Sequence, residues 1–416
     1  MKIPGGFQAL RQCMRIRDYR LYTFGCIGHG LGVWNLRMCI GWLTWELTGS
    51  TAWLGGMAMA EMMPTLILTL FAGTIVDRVD YFKMMRITQG LAMMLAATMA
   101  ALTLAEEMSI WLLFFLTTLR GCLMAFNRPS RAALIYPLVG PDLIAPALAL
   151  GSIIFQGARF IGPAFGGFII VGAGIGWGFA ATAGFLLIYS LALGAMKICI
   201  EPQKREKHSV LTETVEGLTY VMAHGGIRLQ LALLAVVGIV AKPVTDLLPG
   251  FAGQVFSMGA DGLAMLLSFH GIGATCGAIW LASRPSGIVG MTRMTIFSVL
   301  FMAILLMLFA INNLFWLAIV LSALLGFAFI LLNVSNQTLI QSAVDPDLRG
   351  RVMSVYGLIM QGVPAFGALM LGVVAEHFGL RIPVFVGGLI CLGVCFMAWR
   401  KRAAMKLSLE TGITSR

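Results

Sequence analysis

Long apolar runs separated by short polar interruptions make up most of this chain. A helix needs about 20 apolar residues to cross a hydrocarbon core, so each run predicts one spanning helix. The runs place spans at 21–46, 53–76, 84–105, 109–127, 143–171, 176–199, 228–251, 261–283, 288–310, 313–337, 351–376 and 381–399. The first run is too long for the core of a signal peptide and lacks a small-residue cleavage site, so it reads as a retained span behind a basic tail. The longest hydrophilic stretch, 201–227, separates an N-terminal six-helix bundle over 1–200 from a C-terminal six-helix bundle and basic tail over 228–416. Within it Val210, Leu211, Val215, Leu218 and Met222 recur at helical spacing. That spacing fits an amphipathic helix on the inner membrane surface, and a solvated connector is the competing reading.

The two halves look duplicated. Val139-Gly140-Pro141-Asp142-Leu143 corresponds to Val344-Asp345-Pro346-Asp347-Leu348, and Pro163-Ala164-Phe165-Gly166 recurs as Pro364-Ala365-Phe366-Gly367. Both pairs are separated by close to half the chain and fall in and before the fifth span of each half. The expected fold is therefore an all-α integral membrane protein, twelve transmembrane helices in two six-helix pseudo-repeats. Such parallel repeats point to a transporter whose site lies between the halves near the bilayer midplane.

Composition sharpens the class. The chain is 59% hydrophobic and 11% charged, against roughly 45–50% and about 25% in soluble domains, which excludes a water-soluble enzyme. The net charge of +11 would invite a nucleic-acid partner in a soluble protein, but aromatic-plus-basic clusters are few. The 29 Lys and Arg residues instead fall mostly in the N-terminal tail, after even-numbered spans and in the C-terminal tail, while the alternate loops hold only Arg381. By the positive-inside rule both termini face the cytoplasm. The eight cysteines are scattered without a CxxC pair, so neither a disulfide framework nor a metal site is expected. No phosphate-binding GxxxxGK(S/T), HExxH or GxSxG arrangement is present, which argues against ATP hydrolysis or an intramembrane enzyme. No cofactor is expected.

The twelve-span layout, the central loop and Gly73-Thr-Ile-Val-Asp77-Arg78 between spans 2 and 3 resemble the major facilitator superfamily. Thr48-Gly49-Ser50, Glu216-Gly217-Leu218 and Pro346-Asp347-Leu348-Arg349-Gly350-Arg351-Val352-Met353-Ser354 resemble its enterobactin-exporter and macrolide-efflux branch. The resemblance implies a drug:proton antiporter in a bacterial inner membrane, acting as a monomer, and a gating latch at Gly73, Asp77 and Arg78. The family pattern continues with x-Gly and two basic residues; here Asp80, Tyr81 and Phe82 take the last three places, with Lys83 and Arg86 displaced downstream. Plain positive-inside charge is the competing reading of this loop. In span 5, Gly157-Ala-Arg159-Phe-Ile-Gly162-Pro163-Ala-Phe-Gly166-Gly167 resembles the exporters' antiporter motif, in Gly162, Pro163, Gly166 and Gly167. Ordinary glycine packing with a proline kink would need the same residues.

Ionisable residues inside spans are costly and therefore functional candidates. Arg120, Glu61 and Arg159 fall near mid-depth, whereas Arg37, Lys242 and Asp246 fall nearer the outer face. Lys242 and Asp246 lie one turn apart and could pair. Glu61 is the candidate protonation site, with a structural partner for Arg37, Arg120 or Arg159 as its other reading. The resemblance implies a proton-coupling role for Arg120. Gln156, Asn333, Asn336, Gln337 and Gln361 are candidate cavity groups or interhelical hydrogen-bond partners. Trp34, Trp42, Trp45, Trp53, Trp111 and Trp177 are expected to form an outer interfacial belt. With Arg37, Arg120, Arg159 and Lys242 against Glu61 and Asp246, the interior carries surplus positive charge, which favours anionic cargo. The leading function is proton-coupled export of small organic molecules by alternating access. Uptake, lipid or lysolipid transport on the same fold, and an assembly protein without flux, are the alternatives.

Overall fold

The computed structural model describes residues 6–76, 80–198, 210–284 and 287–410, which are helical with no strand among them. The helices are α1 (Gly6–Arg15), α2 (Arg17–Thr48), α3 (Thr51–Val76), α4 (Tyr81–Leu104), α5 (Ile110–Val139), α6 (Ile144–Ala173) and α7 (Ile175–Ala195). They continue as α8 (Val210–Ala223), α9 (Gly225–Val240), α10 (Val244–Gly250), α11 (Ala260–Ala282), α12 (Met291–Ile311) and α13 (Phe315–Ala343). Last come α14 (Arg349–Phe378), α15 (Arg381–Arg400) and α16 (Arg402–Glu410). Ten candidate spans among the described residues are long and apolar enough to cross a membrane. The long helices α2 and α3, of 32 and 26 residues, lie where the first two spans are predicted.

The chain forms two compact units, Met1–Leu47 with Met63–Lys207 and Thr48–Met62 with His208–Arg416. The N-terminal part of α3 thus belongs with the second unit and its remainder with the first. In the first unit α2 lies close to α7, and a Cβ on Gly28 would meet the Phe185 carbonyl at 2.6 Å. Tyr19, Tyr22, Phe82, Met85, Leu134, Tyr189 and Leu193 fill the core around this contact. In the second unit α11 packs on α13, α12 on α15, and α9 on α14.

The fragments that match across the halves fold alike. Pro141–Leu143 and Pro346–Leu348 are both single 3-10 turns, leading into α6 and α14 respectively. Pro163 and Pro364 both sit inside those helices. A proline lacks the amide that would bond the carbonyl four residues back, so α6 and α14 share one weak point at matched positions.

Three expectations need correction. Span 7 is not a continuous helix: α9 ends at Val240, a turn covers 241–243, and α10 is followed by a π-helical turn at Phe251–Val255. Pro243 explains the break, because it supplies no amide to the preceding turn. Span 4 is longer than its apolar run: α5 continues to Val139, since polar residues such as Asn127 and Ser130 bury side chains against the protein. Trp34 is not in an outer belt. It lies mid-helix, with about 21 Å of α2 between it and Thr48 at ~1.5 Å per residue.

Two segments outside the predicted spans also gain structure. In α8, Val215, Leu218 and Met222 are exposed while Gly217 and Val221 are buried, so one face packs on α14 and the apolar face looks outward. In the C-terminal tail, α16 buries Met405 and Leu409. Its Glu410 accepts the backbone N–H groups of Gly290 at 3.0 Å and Thr292 at 2.9 Å, which closes the N-terminus of α12.

Candidate functional site

The antiporter-like glycines let α6 lie against α2. A Cβ on Gly162 would meet Trp34 Cβ at 2.9 Å, and one on Gly166 would collide with Asn35 Oδ1. Asn35 cannot move aside cheaply, because its Nδ2 donates to the Gly178 carbonyl and to Thr182 Oγ1, both at 2.8 Å. Gly162 and Gly166 are therefore demanded by the α2 side chains they face, and Pro163 and Gly167 are buried beside them.

That close approach sets Arg159, one turn before Gly162, against Trp34. The Arg159 guanidinium lies 5.2 Å from the indole centroid and that of Arg37 lies 5.8 Å from the same ring. Arg37, which sequence places nearer the outer face, thus shares an aromatic partner with Arg159, which sequence places near mid-depth. Phe155 meets Trp34 at 5.8 Å between ring centroids. Gln156 is three residues before Arg159 and shares its helix face. Arg159 and Gln156 are half-buried, and among the described residues neither makes a hydrogen bond or an ion pair. Pro163 also leaves the Arg159 carbonyl without its usual amide partner. An arginine at the centre of a spanning helix costs about 2.5–3.5 kcal/mol, and a cation–π contact returns about 0.5–2 kcal/mol. The contact with Trp34 alone does not offset that cost.

The second unit treats the matched weak point differently. Pro364 leaves the Met360 carbonyl without its amide partner, and Lys242 Nζ donates to that carbonyl at 2.6 Å. Lys242 sits in the turn between α9 and α10, so it and Asp246 do not share one unbroken helix. Gln361 is half-buried beside Met360. On α13, Asn333 accepts a hydrogen bond from the Tyr356 hydroxyl of α14. Asn336, three residues on, is fully buried, and among the described residues neither side-chain polar atom has a hydrogen-bond partner.

Glu61 is half-buried in the part of α3 assigned to the second unit, and Arg120 is buried in α5 of the first. Next to Arg120, the Gly121 carbonyl accepts from Thr65 Oγ1 at 2.8 Å, which joins α5 to the later part of α3. Gly73 lies in α3; Asp77 and Arg78 lie outside the described residues. Asp80, which departs from the family loop, caps α4 by accepting from Phe82 N at 2.9 Å and Lys83 N at 3.1 Å.

Residues 13–410 match the family model described as transmembrane secretion effector, a branch of the major facilitator superfamily. The chain belongs to this superfamily. Among relatives of this facilitator, the staphyloferrin A transporter of Staphylococcus aureus is 24% identical over 91% of the chain and 95% of its own length. The enterobactin exporter of Escherichia coli is 22% identical over 79% of the chain and 76% of its own length. The solved D-xylose-proton symporter superposes with a TM-score of 0.69 at 12% identity, over 92% of this chain and 96% of that one. The chain is thus a multi-pass membrane transporter and not an enzyme.

Two contacts within this facilitator escape sequence reading. Glu376 Oε2, near the end of α14, accepts from Ser50 Oγ, Thr51 N, Thr51 Oγ1 and Ala52 N at 3.0, 2.8, 3.0 and 3.2 Å. It is the carboxylate cap of α3, supplied from 325 residues away, and the Gly372 carbonyl, 2.8 Å from Thr51 Oγ1, shares that hydroxyl's single proton with Glu376. Glu216 of α8 pairs with Arg351 at 2.6 Å, and a Cβ on Gly217 would meet the Arg351 carbonyl at 2.5 Å. Glu216-Gly217-Leu218 and the run containing Arg351 were separate signatures in the sequence; in the structure they dock the linker helix on α14.

Proposed function

We propose that this facilitator is a proton-coupled exporter of small organic molecules, with anionic cargo favoured, working by alternating access. In this reading twelve helices cross a bacterial inner membrane as six-helix halves over 1–200 and 228–416, with both termini in the cytoplasm, and the protein acts as a monomer. The linker 201–227 carries α8, whose exposed Val215, Leu218 and Met222 suit the inner membrane surface. The observation that carries the reading is Arg159, a cation held mid-helix by the antiporter-like glycines with no acidic partner among the described residues. Export is favoured by the full glycine–proline form of that motif in α6, and by relatives whose names include an enterobactin exporter and a multidrug efflux pump.

Glu61 is the proposed proton carrier, Arg120 a proposed proton-coupling residue, and Gly73, Asp77 and Arg78 the inner latch. Lys242, Asp246, Asn333, Asn336 and Gln361 complete the proposed cargo and coupling set with Arg37, Arg159 and Gln156. The test is flux in proteoliposomes of the purified chain under an imposed pH gradient, across siderophores, antibiotics and lysolipids. Gradient-dependent movement of an anionic organic cargo supports the reading. Flux that ignores the gradient removes proton coupling, and flux confined to lysolipids or to cations replaces the cargo class.

A further inference from the structure

The first unit holds one cluster whose chemistry specifies a ligand more closely than surplus charge does. Arg159 is half-buried, and its contact with the Trp34 indole uses none of its N–H donors in hydrogen bonds. Those donors form a planar fork that matches the two oxygens of a carboxylate. Arg37 on the same indole adds positive potential next to the fork. Gln156 brings an amide with a donor and an acceptor one turn away, and the Phe155 ring, 37% exposed, lines the approach with an aromatic surface.

We propose that Arg159, Gln156, Trp34 and Phe155 form a recognition site for a planar aromatic carboxylate. The carboxylate takes the Arg159 fork, and the aromatic body lies along Phe155, where offset or edge-on ring contacts are favourable. Gln156 reads a polar substituent next to the carboxylate. This deepens the export reading, and rests on it only in taking the ligand as cargo; the site itself needs no residue of the second unit.

The purified full chain in nanodiscs is titrated calorimetrically with 2-naphthoate, 2-naphthamide, 2-naphthylmethylammonium and octanoate. The naphthoate is expected to bind at least about tenfold more tightly than its neutral and cationic counterparts, since only it engages the fork, a difference of about 1.4 kcal/mol. Arg159→Gln is expected to erase that preference and Arg159→Lys to restore part of it, because a lysine keeps the charge without the fork. Equal binding of naphthoate and naphthamide by the wild-type chain overturns the proposal without recourse to any variant. Octanoate binding as tightly as naphthoate overturns its aromatic half. If naphthoate binds through Arg159 but no gradient drives flux, the export reading falls and the site stands. Gradient-driven flux with no naphthoate binding does the reverse.

Discussion

Replacing Lys242 by Met removes the ammonium that satisfies the Met360 carbonyl and keeps most of the side chain's length. A hydrogen bond from a charged group contributes about 1.5–3 kcal/mol, and leaving a carbonyl unpartnered costs about 1–3 kcal/mol when it is fully buried and less for the half-buried Met360. The single substitution is therefore expected to destabilise the protein by about 2–3 kcal/mol. Other contacts of Lys242 are lost with it, so the single value does not isolate this bond. Pro364→Ala does, because it returns the amide that an unbroken helix would offer to Met360. In the Pro364→Ala background the carbonyl no longer depends on Lys242, and the cost of Lys242→Met should fall by about 1–2 kcal/mol. The assay is equilibrium denaturant unfolding of the four proteins of this double-mutant cycle in mixed micelles. Additivity within about 0.5 kcal/mol, the range for independent sites, would refute the idea that Lys242 serves the gap left by Pro364.

Three further outcomes follow from the packing. Gly166→Ala forces a methyl group onto Asn35 Oδ1 and should destabilise by about 1–3 kcal/mol as overpacking does, whereas Gly172→Ala in the same helix meets nothing within 4 Å and should stabilise by up to about 1 kcal/mol; thermal unfolding that ranks them the other way contradicts the α2–α6 account. Glu376→Ala should cost about 1–2 kcal/mol through the lost cap of α3, and Glu376→Gln less, because an amide oxygen still accepts; equal losses would show that the cap is not what matters. Glu216→Ala should change stability by less than about 1 kcal/mol, since its partner is half-exposed, while Gly217→Leu, pressed on a backbone carbonyl that cannot rotate away, should loosen α8 and speed its proteolysis.

The positions of the long helices were legible because hydrocarbon demands runs of about 20 apolar residues, and such runs survive any packing. What lay between distant residues was not. Nothing in the sequence around Glu376 points to Thr51, 325 residues earlier, and an exposed glutamate near a helix end looks like ordinary surface. Trp34 was misplaced because tryptophan near a membrane usually marks an interface; its partner Arg159 is on another helix, and only the glycines of α6 bring the two together. The interruption of span 7 was readable in principle from Pro243 directly after Lys242, yet hydropathy alone runs smoothly across it. The short matched fragments, by contrast, told more than their length suggested. Pro163 and Pro364 open the same gap in α6 and α14, and in the second unit Lys242 donates to the freed Met360 carbonyl.

The claim at the centre of this account is that Glu61 carries the proton which drives export. Cargo movement by reconstituted wild type and Glu61→Gln is compared in two modes, uphill under a pH gradient and cargo-for-cargo exchange without one. Glu61→Gln should lose uphill transport and keep exchange, because exchange needs the halves to rock and the cargo site to bind but needs no change of protonation. Uphill transport by Glu61→Gln at the wild-type rate would contradict the claim.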